Sequence, residues 1–203
     1  MGATVDCSPW TEPAMTAALA RLAPTHVFAL LGTTRARAKR GDSGSAVSES
    51  YEAVDYGLSA LLLRASIACM SQPVFVYLSA LGASATARGE YQRVRGRLER
   101  EVLDSGLPSL IARPSFVTGD DRDESRPAER TAAAVVDGVA GLATALGAGS
   151  AVARWQSMTG EELGAALVRH ALLVRAGSVT LDAAALRGPP VTGGPPPSTF
   201  GTR

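Results

Sequence analysis

Three short runs of the chain are apolar at every position or nearly so: HVFALLG (26–32), VFVYLS (74–79) and SLIAR within LPSLIARP (107–114). Runs of this length, bounded by glycine or proline, predict strands covered on both faces. Between them the apolar spacing changes to three and four. Val54, Leu58, Leu61, Leu62 and Ala65 predict a helix over 51–70. Tyr91, Val94, Leu98 and Val102 predict another over 89–104, with Arg and Glu on its opposite side and Gly106 closing it. Upstream, Thr11, Glu12 and Pro13 mark a helix start, Ala17, Ala18, Leu19 and Leu22 continue it, and Pro24 stops it. The first residues, ATVDC (3–7), predict a short strand.

Alternation of helices with doubly covered strands predicts an α/β fold, a Rossmann-like parallel sheet with flanking helices and right-handed crossovers. Farther on, residues 129–146 predict an alanine-rich helix and VARWQS (152–157) a short extended piece. Thr159 followed by Glu162 is a capping box for a helix to about residue 174, and SVTLD (178–182) a last strand. The domain is expected to span 1–187, and the proline- and glycine-rich stretch 188–203 to be a disordered tail.

A formal charge of +1 over 203 residues argues against an electrostatic nucleic-acid binder. The basic cluster Arg35, Arg37, Lys39 and Arg40 reads as a solvated loop. Two cysteines, Cys7 and Cys69, suit neither a disulfide framework nor a thiolate metal site. The opening residues lack the pattern of a secretory signal, and LSALLLRASIACM carries Arg64 and is too short to span a bilayer. A cytoplasmic location is expected, with no membrane and no nucleic-acid partner.

Chemistry in an open parallel sheet is expected beyond the carboxyl ends of the strands. Gly32-Thr33-Thr34, Ser79-Ala80-Leu81-Gly82 and Arg113-Pro114-Ser115 lie there, with Tyr91 and, one helical turn on, Arg95 just downstream. A tyrosine beside a fixed cation can exchange a proton with an alcohol or carbonyl oxygen that a nearby serine holds. The same residues also read as a half-buried aromatic, a strand-end cap and a surface charge. His26 and His170 have no ligand-type neighbours in sequence, and neither a GxSxG elbow nor a P-loop is present.

The stretches HVFALLGTTRARAK, YEAVDYGLSALLLRAS, VFVYLSALGASATARGEYQRVRGRLEREV and SLIARPSFVTGDDRDESRPAER together resemble the atypical short-chain dehydrogenase/reductase family. Within it they are similar to the NAD(P)-binding, epimerase-like proteins related to the Tat-interacting oxidoreductase. The resemblance spans roughly residues 14–187 and fades toward its end. It implies a doubly wound sheet, NAD or NADP as cofactor, a small-molecule substrate, and a carbonyl-reductase or epimerase type of activity. By the same resemblance the catalytic residues are Ser79, Tyr91 and Arg95, the last standing where the family has lysine. The cofactor-binding residues are Gly32, Thr33, Thr34, Arg95, Pro114 and Ser115.

Arginine keeps the charge of the family lysine but bonds with a different geometry. The family's opening strand, glycine-rich turn and helix, which bind a pyrophosphate, have no counterpart here. Gly41, Gly44, Gly193 and Gly194 stand in the wrong context, and TVDC corresponds to a point near the family's third strand. An upstream true start, a degraded relative, or a partner in place of the missing unit would each account for this. The expectation is that HVFALLG lies at an open sheet edge and that the chain self-associates there or takes a protein partner. A non-catalytic nucleotide sensor or interaction module of the same fold is the alternative function.

Overall fold

The computed structural model describes residues 2–33, 50–115, 117–118 and 157–190. Helix α1 (Glu12–Leu22) begins after an extended Thr11, whose carbonyl, rather than its hydroxyl, takes part in the first turn by accepting the Met15 N–H at 2.9 Å. It ends on Ala23 in the left-handed region, one residue before Pro24. Strand β1 is His26–Ala29. A π-helical stretch, Tyr51–Leu58, capped by the Ser50 side chain, runs directly into helix α2, Ser59–Ile67. Then follow β2 (Val74–Leu78), α3 (Glu90–Asp104), β3 (Ser109–Arg113) and the short strands β4 (Val117–Thr118) and β5 (Met158–Thr159). Helix α4 (Gly160–Ala171), β6 (Ser178–Asp182) and α5 (Ala183–Arg187) complete the described chain.

Strands β1, β2, β3 and β6 form one parallel sheet in that order, and β4 pairs with β5 in a separate parallel ribbon. The α/β fold with helices on both sheet faces is as the apolar runs predict. Side-chain alternation along β2 divides the core. Phe75 and Tyr77 pack with Leu62, Leu63, Leu98 and Val102 under α2 and α3, whereas Val74 and Val76 pack with Leu163, Leu167 and Leu186 under α4 and α5. Each large side chain fully buried in this way contributes about 2 kcal/mol. No described helix is long and apolar enough to cross a membrane; Arg64, in the most apolar helix, pairs with Glu12 of α1 at 2.9 Å.

Several expectations change. ATVDC forms no strand: Val5 is 82% exposed and residues 3–7 pair with no other strand among the described residues. The long helix over 51–70 is two kinds of helix joined, which apolar spacing cannot distinguish. HVFALLG yields only four strand residues, with Phe28 and Leu30 partly exposed, and among the described residues β1 has a neighbour on one side only. The capping box is formed as predicted: Thr159 Oγ1 accepts the Glu162 N–H at 3.1 Å, and the Glu162 carboxylate accepts the Thr159 N–H at 2.8 Å. SVTLD is the last strand of the sheet. The alanine-rich helix over 129–146 and residues 191–203 of the expected tail lie outside the described residues.

Candidate functional site at the carboxyl edge of the sheet

Parallel pairing brings the carboxyl ends of β1, β2 and β3 side by side, so the loops that leave them are neighbours. The Ser79 N–H donates to the Ala112 carbonyl at 2.8 Å and the Leu81 N–H to the Pro114 carbonyl at 3.0 Å, which ties the second loop to the third. Gly82, with φ at 77°, lets the chain turn there toward α3.

Helix α3 seats itself on this edge through a close approach. A Cβ on Gly96 would lie only 2.2 to 2.4 Å from backbone atoms of Ser84, so only glycine fits. Its inward face carries two charged residues one turn apart, Arg95 and Glu99, each 4% exposed. Arg95 is therefore no surface charge. Its Nη1 donates to the Leu78 carbonyl at 2.5 Å, and its Nη2 to the Leu31 carbonyl at 3.1 Å and to Asp55 Oδ1 at 2.5 Å.

Asp55 completes the arrangement. Its side chain is fully buried, and its other oxygen accepts the Thr33 N–H at 2.9 Å. Burial pushes the Asp55 carboxyl above its ordinary value, against the opposing pull of Arg95 and of the Thr33 N–H. Gly32 fits beside the pair: a Cβ there would stand 2.7 Å from Arg95 Nη2 and 3.3 Å from Asp55 Oδ1.

The guanidinium also faces two aromatic rings, its central carbon lying 5.3 Å from the centre of Tyr91 and 5.7 Å from that of Tyr77. Tyr51 leans on Tyr91 with ring centres 5.2 Å apart. Tyr77 and Ser79 alternate with Leu78 and so point to the α3 side of the sheet. Both are buried, and neither Tyr77 Oη nor Ser79 Oγ has a hydrogen-bond partner among the described residues. Burial pushes the Tyr77 phenol up to about 12, with Arg95 opposing the rise.

Of the residues singled out in the sequence, Gly32, Thr33, Ser79, Tyr91 and Arg95 thus gather at one end of the sheet. Pro114, buried, and Ser115, half-buried, follow β3 beside them. Thr34 lies outside the described residues. Asp55 was not singled out, although a signal exists: it falls in helical register with Ser59 and Leu62, on the face that becomes buried. His170 is buried with Nε2 3.2 Å from the Leu186 carbonyl, and His26 Nε2 lies 3.3 Å from the Ala171 carbonyl. Among the described residues no group of three histidine, cysteine or carboxylate side chains could hold a metal ion.

No family model matches the chain. It is 34% identical over 140 residues to "Protein fmp52, mitochondrial" of Aspergillus niger, covering 68% of this chain and 52% of that protein. The protein of the same name in Aspergillus clavatus is 36% identical over 141 residues, covering 68% and 53%. The chain therefore spans about half the length of the curated relatives it matches. Among solved structures, "a putative epimerase from Burkholderia cenocepacia J2315" aligns with a TM-score of 0.53 at 14% identity, over 91% of this chain and 67% of that one. That likeness shows the fold. The expectation of a cytoplasmic location is corrected by the relatives, whose names place them in mitochondria; two cysteines suited to a reducing interior do not tell one intracellular compartment from another.

The donor set suits NAD(P), the cofactor the resemblance implies, only in part. Ser79 Oγ, buried without a hydrogen-bond partner among the described residues, and the half-buried Tyr91 suit the nicotinamide half. At the neighbouring loop the Thr33 N–H and both Arg95 terminal nitrogens are already engaged within the protein.

Proposed function

We propose that the protein is an NAD(P)-binding oxidoreductase-like protein of carbonyl-reductase or epimerase type, with its reaction centre between Ser79 and Tyr91. The observation that carries this reading is the span of one guanidinium. Arg95 bonds the carbonyl of Leu78, next to Ser79, and lies against the ring of Tyr91, so both hydroxyls belong to one edge. The epimerase-like fold supports it, as do the unpaired Ser79 hydroxyl and the loops of Gly32, Thr33, Pro114 and Ser115 around it.

When bound, the nicotinamide supplies or accepts hydride. The chain's own residues handle the oxygen. Ser79 donates to it and fixes its orientation, while Tyr91 passes its phenolic proton to a nascent alkoxide or takes one from an alcohol. Arg95, its guanidinium carbon 5.3 Å from the centre of the Tyr91 ring, holds that ring at this edge.

A second reading has its own support. The Arg95 fork is committed to Asp55 and two carbonyls, so it is not free to hold a ribose as the family lysine does. This favours a non-catalytic nucleotide sensor or interaction module on the same fold. Titration with NADH and NADPH, followed by turnover of a panel of small aldehydes and ketones, separates the two. An enzyme loses turnover in Tyr91→Phe and keeps nucleotide affinity; a sensor binds nucleotide and has no turnover to lose. Failure to bind either dinucleotide overturns the oxidoreductase and the nucleotide sensor and leaves the interaction module.

A further inference from the structure

Gly32, Asp55 and Arg95 occupy one volume and come from three separate parts of the chain. Asp55 sits in the π-helical stretch Tyr51–Leu58, Arg95 on α3, and Gly32 in the loop leaving β1. Among the described residues the loop contributes no side-chain bond here. It is held by its backbone, with the Leu31 carbonyl accepting from Arg95 Nη2 at 3.1 Å and the Thr33 N–H donating to Asp55 Oδ2 at 2.9 Å. Asp55 and Arg95 bond each other at 2.5 Å, and Arg95 reaches on to the Leu78 carbonyl at the end of β2.

We propose that Asp55 and Arg95 are a positioning pair that locks the Leu31–Gly32–Thr33 backbone against the end of β2, and so sets the width of the nucleotide-side edge beside Ser79 and Tyr91. As far as it concerns a nucleotide, this rests on the function proposed above. The lock itself rests on geometry alone. A surface ion pair would leave the loop free to breathe; this one is nearly fully buried, and each partner holds backbone atoms that the other does not reach. The arrangement accounts for arginine on α3, since an ammonium lacks the planar fork that serves Asp55 and two carbonyls together. It also accounts for glycine at position 32, where any Cβ would intrude on the pair.

Two variants of the full chain test the lock by residue-resolved amide hydrogen exchange. Asp55→Asn removes the charge that holds Thr33, and Gly32→Ala forces the pair apart with both charges still present. In each, the Thr33 amide is expected to exchange about tenfold faster or more, the scale of one lost charge-assisted hydrogen bond. Amides of Val76 in β2 and Ile111 in β3 are expected to keep their rates. An unchanged Thr33 amide in folded Gly32→Ala overturns the lock, and so does a uniform rise through β2 and β3, which marks only a general loss of stability. If Asp55→Asn does not fold, Gly32→Ala decides alone. Calorimetric titration with NADPH and NADH is run on the same samples. Wild-type protein that binds neither overturns the nucleotide reading and leaves the exchange result to decide the lock; binding that is unaffected in a variant with a loosened loop overturns the loop's part in nucleotide recognition.

Discussion

Glu99 and Arg113 form a two-pronged ion pair that ties the middle of α3 to the carboxyl end of β3: Arg113 Nε donates to Glu99 Oε1 at 2.8 Å, and Nη2 donates to Oε2. Glu99 is almost wholly buried, whereas Arg113 keeps about a third of its side chain in solvent. Removing the carboxylate charge while keeping its shape, in Glu99→Gln, should therefore cost about 2 kcal/mol, toward the lower end for a buried charged pair because Arg113 can turn to water. Urea denaturation with an unchanged slope and a lower midpoint is the expected result. A cost indistinguishable from that of exposed Glu161→Gln would show that the pair does not anchor the helix.

Glycines should divide by what surrounds them. Gly96→Ala places a methyl group into the Ser84 backbone and should destabilise the fold by roughly 1–3 kcal/mol through overpacking. Gly164 lies inside α4 with nothing within 4 Å of the added carbon, so Gly164→Ala should stabilise by about 1 kcal/mol or slightly less. Thermal melts of the two variants should move in opposite directions from the parent.

Tyr77 predicts a specific alkaline weakness. Its phenol titrates near 10.0 when unfolded and is pushed up to about 12 when folded. Between these values the unfolded chain has lost a proton that the folded chain keeps. Stability contributed by the neutral phenol is therefore complete below pH 10 and lost as pH rises toward 12, by an amount on the order of 2–3 kcal/mol. In Tyr77→Phe this part of the decline should vanish. Because the hydroxyl has no hydrogen-bond partner among the described residues, the variant should be at least as stable at neutral pH. Melting temperatures at pH 8, 10 and 11 check both statements.

Much of this architecture is legible in the sequence, and the illegible parts share a cause. VFVYL and SLIAR read correctly as central strands because helices cover both faces and every residue obeys one rule. HVFALLG follows the same rule in sequence but not in space, since strand burial depends on neighbours that a local run does not contain. Glu99 reads as solvent-facing because charge on a helix usually is, and Arg95 reads either as a site cation beside Tyr91 or as a surface charge. Their partners, Asp55 and Arg113, sit 40 and 14 residues away, beyond the reach of helical spacing. Ser79 and Tyr91 are legible as candidates from the positions they hold, whereas Asp55 stands inside an apolar stripe, and its place shows only when its oxygens are seen to be occupied.

Phe28, 36% exposed, lies in β1 and Leu30, 50% exposed, follows it; the strand's outer backbone edge has no strand partner among the described residues. Sheet edges of this kind pair with other chains unless charged or covered. The 203-residue chain should show a sedimentation coefficient that rises with concentration, and Leu30→Lys should reduce the rise without lowering the melting temperature of the monomer. A single concentration-independent species in the parent chain would overturn this expectation.

The shared volume of Gly32, Asp55 and Arg95 also constrains how the sequence can evolve. Exchange of the arginine for a neutral residue leaves a buried carboxylate uncompensated, exchange of the aspartate alone strands a buried cation, and a side chain at position 32 would stand 2.7 Å from Arg95 Nη2 while the arginine is there. Each such step costs stability, so Arg95 and Asp55 should be replaced together or not at all. In a deep set of relatives, position 95 should then stay cationic wherever position 55 is aspartate, and a neutral residue at 95 should travel with a neutral residue at 55.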